Sequence, residues 1–187
     1  WTLQDDIRRA GLDPDAIRRV TGRDMAANAA AVLHGSLDVA QLFEPFVTRL
    51  EDAGAHAWYA QASRGPTSYT AFYARTDVIA AKRAEFVAVL RGLARTLAWC
   101  AEAAPVEVAV TIAPYFPDLD APLLARCIAR YRALGVWTRD PRFPPEALAR
   151  LEAAMLSAGA IRRSPGFAGL VAEDLTEEAL SGTPPSR

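Results

Sequence analysis

Glu44 stands at the joint of "DVAQLFEPFVTRLEDAGA", residues 38–55, between the apolar run Val39–Phe43 and an amphipathic stretch opened by Pro45. A residue before proline is pushed out of the α region, so the carboxylate projects from extended backbone at a helix start. There it either makes a charge–dipole contact worth roughly 0.3–1 kcal/mol or forms the floor of a binding site. In the second use its two oxygens accept hydrogen bonds from donors on a ligand. Arg23, in the turn Thr21-Gly22-Arg23, offers a cation and neighbouring backbone N–H groups to a ligand, or is simply a solvated turn. Tyr69, Thr70, Phe72 and Tyr73 supply either an aromatic and hydroxyl lining or the ordinary alternation of a strand. Trp58 and Trp99 read as core, and Trp137 as a loop anchor.

Covalent and metal chemistry have less to work with. There is no GxSxG elbow, HExxH pair, CxxC or phosphate-binding loop. His34 and Ser36 in "LHGSLD" read as a helix end and turn. Two cysteines and two histidines fall in no metal-ligand spacing. The expectation is therefore no catalytic residue, no metal and no cofactor. Cys100 and Cys127 each sit on an apolar helical stripe, which makes them buried free thiols.

Elements able to position these residues come in two styles. Up to Arg75 helical and strand patterns alternate. Leu3, Ile7 and Ala10 share a helical face, and Ile17–Thr21 reads as a short strand. An Ala-rich helix then runs to Leu33, followed by a strand ending at Phe43, a helix from Pro45 to Gly54, and a strand over 56–61. The loop "ASRGPTS" leads to "YTAFYAR", residues 69–75, rich in β-formers. Such alternation predicts an α/β block with a largely parallel sheet. After Asp77 the helical period takes over: Phe86, Leu90, Leu93, Leu97 and Cys100; then Leu124, Cys127, Ile128, Tyr131 and Leu134; then Leu148, Leu151 and Met155. Asp120 with Pro122, and Pro144-Pro145, mark helix starts.

The 187 residues are 51% hydrophobic and 23% charged, with a net charge of −1. That composition supports a folded core and lacks the basic field that drives nucleic-acid binding. Apolar stretches fall short of the roughly 20 residues a membrane span needs. If the late helices lack a sheet to cover, their apolar stripes predict self-association.

The segments "GSLDVAQLFEPFVTRLEDAGA", "YTAFYAR", "APYFPDLD" and "ALGVWTRDPRFPPEALARLEAAMLSAGAI", in that order, resemble the NMT1/THI5-like substrate-binding proteins of ABC importers. That group contains thiamine-pyrimidine, sulfonate and nitrate binders. The resemblance implies a type II periplasmic-binding fold, α/β and two-lobed in the Venus-flytrap manner, with the first part of lobe 1 absent. Residues 1–68 would form most of the second lobe, 69–75 a returning crossover strand and hinge, and 76–187 the helices packing on the first lobe. It also implies Phe43, Glu44, Tyr69, Thr70 and Arg23 as ligand contacts for a thiamine-precursor pyrimidine or similar heterocycle. The chain would deliver that ligand to a permease, from the periplasm or an anchored extracellular position. Alternatives within the resemblance are a pyrimidine-precursor synthase, a sulfonate or nitrate binder, and the effector domain of a regulator.

Overall fold

The computed structural model describes residues 1–181, which are 57% helical and contain no strand. The α/β type II expectation is therefore corrected to an all-helical fold. The ten α-helices among the described residues are α1 (Thr2–Arg9), α2 (Met25–Leu33), α3 (Phe46–Asp52), α4 (Thr76–Ala81), α5 (Arg83–Glu102), α6 (Pro105–Ile112), α7 (Ala121–Ala133), α8 (Pro145–Ser157), α9 (Phe167–Leu170) and α10 (Glu173–Ser181). Short 3-10 turns cover Gln61–Arg64 and Ala113–Tyr115.

Each expected strand lacks what a strand requires, a neighbour in register. Residues 17–21 carry Arg18 and Arg19 and are exposed; residues 56–61 run irregularly into the Gln61–Arg64 turn. The run 39–43 is irregular and is fastened by side chains, with Gln41 Nε2 donating to Gln61 Oε1. The crossover expected at 69–75 has neither helix, turn nor bend. Helix signals fare better, because a helix satisfies its own backbone without a partner. The Asp24 carboxylate caps α2 by accepting the Ala27 N–H at 2.7 Å, and the Asp120 carboxylate caps α7 by accepting the Leu123 N–H at 2.7 Å. Proline opens α6, α7 and α8 within the first two positions, where its missing N–H costs nothing.

The helices group into two compact units. The first comprises Trp1–Ile17, Arg64–Glu102 and the chain from Trp137 onward. In it α10 packs on α5, burying Val87, Leu175 and Ala179 with Ile79, Phe86, Leu90 and Ala172 around them. Arg83 on α5 pairs with Asp174 at 2.7 Å and Glu178 at 2.8 Å, and Arg91 Nε donates to the Ala179 carbonyl at 3.3 Å near the end of α10. α1 packs on α8 in the same unit. The second unit, Arg18–Ser63 and Ala103–Val136, holds α2, α3, α6 and α7. α6 lies on α7, and α3 touches both α2 and α7. Leu124, Cys127 and Ile128, at helical spacing, form the buried stripe of α7.

Both cores are thin. Half of the buried positions among the described residues are Ala or Val, and the largest fully buried side chain is Thr48. Trp58, expected in the core, is 79% exposed.

Candidate functional site

Glu44 is where the sequence points first, and its side chain is only 3% exposed. Pro45 takes the N-cap position of α3 and has no side-chain oxygen to cap with. Glu44 reaches over it, and Oε2 accepts the Thr48 N–H at 3.0 Å. The Cys127 thiol of α7 donates to the same oxygen at 3.6 Å, while Arg130 Nε stands 2.7 Å from Oε1. That guanidinium forms an ion pair but is not aligned for a hydrogen bond, so Oε1 is buried without one. Arg130 also pairs with Glu51, and the Glu44 N–H donates to the Tyr131 hydroxyl at 2.9 Å. The acid is engaged by the α3–α7 seam on every side described. Burial first, and the Glu44 charge second, push the Cys127 thiol above its ordinary pKa, which keeps it protonated and a poor nucleophile.

Of the other expected contacts, Phe43 and Arg23 belong with Glu44 to the second unit; Arg23 is exposed in the loop before α2 and Phe43 is 39% exposed. Tyr69 and Thr70 belong to the first unit and are exposed.

A second buried carboxylate, Asp5 of α1, escaped the sequence reading. It accepts Arg9 Nε at 2.9 Å and Arg64 Nη2 at 3.0 Å on Oδ2, and Ser157 Oγ of α8 at 3.4 Å on Oδ1. Arg64, 7% exposed, also pairs with Asp6 at 2.8 Å. Burial alone would raise the Asp5 pKa; the hydrogen bonds and charges of Arg9 and Arg64 outweigh it and leave the carboxyl below its ordinary range. Both carboxylate clusters are closed, with their charges matched inside the chain.

Open features lie elsewhere. In the first unit a groove of about 450 Å³ runs between residues 138–146 and 171–177 and mixes Arg139 and Arg142 with Glu146, Glu173 and Glu177. Arg142 is already paired with Asp140 at 2.7 Å.

The other open feature is the segment from Gly65 to Arg75. Its start is fastened to α8: Arg150 Nε donates to the Pro66 carbonyl at 2.9 Å, and the Ser68 N–H to the Ala147 carbonyl at 3.1 Å. Gly65 has φ +98°, a backbone conformation that favours glycine, and Arg150 Nη2 lies 3.0 Å from where a Cβ would stand. Its end is fixed where Arg75, paired with Asp77 at 2.7 Å, leads into α4. Between these anchors Tyr69, Phe72 and Tyr73 are 77%, 84% and 90% exposed. The backbone groups of Thr70–Ala74 have no hydrogen-bond partner among the described residues. In the second unit Trp58 and Tyr59 are similarly exposed.

Among the described residues no three His, Cys, Asp or Glu side chains gather to hold a metal, and no helix is long and apolar enough to cross a membrane. Comparison with family models, curated proteins and solved structures finds no match for this chain.

Proposed function

We propose that this chain is a non-catalytic helical interaction component, which docks on protein through exposed aromatic side chains. The observation carrying this reading is the anchored segment 65–75, which fixes both its ends on the first unit and turns Tyr69, Phe72 and Tyr73 to solvent. Large aromatics are the side chains that contribute most to interfaces, because they bury much area for few rotatable bonds.

A solute-capturing role would require Glu44 to leave Thr48, Cys127 and Arg130, removing the acceptor of the Thr48 N–H and the Cys127 thiol. Docking through aromatics needs no such rearrangement.

The test is site-specific photocrosslinking of the whole chain in extract of the cells that make it. A photoreactive residue at Phe72 should give a discrete crosslinked product, and one at Arg95, exposed on α5, should give none. Equal labelling from both positions, or from neither, would overturn the reading.

A further inference from the structure

Helix α10 carries two acidic rows side by side, and the chain neutralises only one of them. Asp174 and Glu178 share Arg83 of α5, whose Nη1 lies 2.7 Å from Asp174 and whose Nε lies 2.8 Å from Glu178. Glu173 and Glu177 repeat that spacing on the adjoining row and line the groove of about 450 Å³ between residues 138–146 and 171–177. Among the described residues neither has an ion pair or a side-chain hydrogen bond, and nor does Glu146, which lines the same groove from the first turn of α8. We propose that Glu173 and Glu177 receive an arginine side chain of a partner protein in this groove, its guanidinium bridging the two carboxylates as Arg83 bridges Asp174 and Glu178. The inference deepens the interaction reading above, from which it takes only that the ligand is a protein.

Like charges four residues apart on a helix repel, and Arg83 offsets that repulsion in one row only. A place in the first turn, beside the helix N-terminus, favours Glu146 and Glu173 by themselves. Glu177 stands in the middle of α10 and has no such compensation. The cations of the groove leave the two glutamates open. Arg142 is held by Asp140 at 2.7 Å, and Arg139, though it lines the groove, pairs with none of the three glutamates.

The lining selects among cations. Among the described residues no three carboxylates stand close enough to hold a metal ion, so the groove suits a wider cation. A planar guanidinium presents N–H groups to two carboxylates at once, which a compact ammonium does less well. Phe143 and Val171 supply apolar contact for the side-chain stem and a ring face for the cation. The groove also adjoins the aromatic segment: Ser68, next to Tyr69, donates its N–H to the carbonyl of Ala147, next to Glu146. One partner chain lying along the first turn of α8 therefore meets both.

The probe is the blocked peptide Ala-Arg-Ala-Arg-Ala, titrated into the whole isotope-labelled chain and followed by nuclear magnetic resonance. Amide signals of residues 171–177 should shift, with a dissociation constant on the order of hundreds of micromolar, as befits a few solvent-screened contacts. Glu173→Gln with Glu177→Gln should weaken binding about tenfold. Glu85→Gln with Glu102→Gln removes the same charge from exposed positions on α5 and should change it less than about twofold. All four side chains are exposed, so helical circular dichroism should match the wild type in both variants. Arg139→Gln should tighten binding, and a lysine version of the peptide should bind more weakly.

No shift at about 5 mM peptide, far above the expected dissociation constant, would overturn the proposal. So would equal losses in the two double variants, or a lysine peptide bound as tightly as the arginine one. If the peptide fails while a photoreactive residue at Phe72 still captures a partner, the groove inference falls and the interaction reading stands. If the peptide binds in the expected pattern and Phe72 captures nothing, the aromatic reading falls and the groove keeps its ligand.

Discussion

The Asp5 cluster of the first unit and the aromatic segment of the same unit are opposite solutions to one problem. Around Asp5 every charge has been matched: two guanidinium groups and a serine hydroxyl surround one carboxylate, and the second carboxylate, Asp6, shares Arg64. Along Thr70–Ala74 the backbone is unmatched and the side chains face water. Closed polar clusters fix helices against one another, and a segment left open fixes nothing in its own chain. Substitutions should therefore act on stability in the first region and on association in the second.

The largest stability effect is expected at Arg64. Arg64→Met keeps much of the volume and removes the cation shared by Asp5 and Asp6, whose side chains are 8% and 17% exposed. Breaking a buried pair by deleting one partner costs about 3–5 kcal/mol; with Arg9 still on Asp5, about 3 kcal/mol is expected, or roughly 6–12 °C in melting temperature for a chain of this length. A melting temperature within 2 °C of wild type, roughly what half a kilocalorie would produce, would show that the cluster is ornamental.

Next comes the α3–α7 seam of the second unit. Arg130→Met leaves Glu44 buried with only the Thr48 N–H and Cys127 thiol, and Arg130 is itself 30% exposed, so about 2–3 kcal/mol is expected. Glu44→Gln should cost less, and the two together less than their sum, because each removes the same pair. Additive losses in thermal melts would mean that the pair is not coupled.

The contrast between these clusters and the open segment also explains what the sequence made legible. Caps and stripes were readable, since Asp24, Asp120 and the run Leu124, Cys127, Ile128 act within a few residues of themselves. Sheet formation was not, because a strand is a property of two segments and the pattern of "YTAFYAR" records only one of them. Glu44 stands out in the sequence for a sound local reason, its pre-proline position at a helix start, but its partners Cys127, Arg130 and Tyr131 lie more than 80 residues away, and no spacing rule connects them. Asp5 and Arg64 were invisible for the same reason, at 59 residues apart. Composition counted Trp58 as core by residue type alone; with half of the buried positions among the described residues taken by Ala or Val, little space exists to enclose an indole.

Acid should act through Asp5. Its folded pKa lies below the ordinary value of 3.8, so the stabilisation is complete above that value and is lost as pH falls through the lower folded pKa. Asp5→Asn should lower stability near neutrality and flatten the decline below about pH 4. Wild-type and variant chemical melts with parallel pH profiles would reject Asp5 as a source of acid sensitivity.

A smaller distinction separates the two thiols. Cys127 is buried and its pKa is raised by burial and by Glu44, whereas Cys100 is half-buried on α5. A thiol reagent at neutral pH should therefore label Cys100 first and Cys127 only on unfolding. Equal native rates would place the Glu44 seam in exchange with solvent.

Least of all should happen to stability when the open segment is changed. Phe72 is 84% exposed and its backbone groups have no partner among the described residues, so Phe72→Thr removes no contact on which a helix depends. Surface changes of this kind stay within about 0.5 kcal/mol, and threonine retains the strand preference of the position. The melting temperature should thus be unchanged, while capture of a partner through a photoreactive residue at Tyr73 should weaken, because the neighbouring aromatic area is gone. A melting temperature clearly below that of the wild type would mean that Phe72 belongs to the fold of its own chain, and the segment would then resemble the Asp5 cluster.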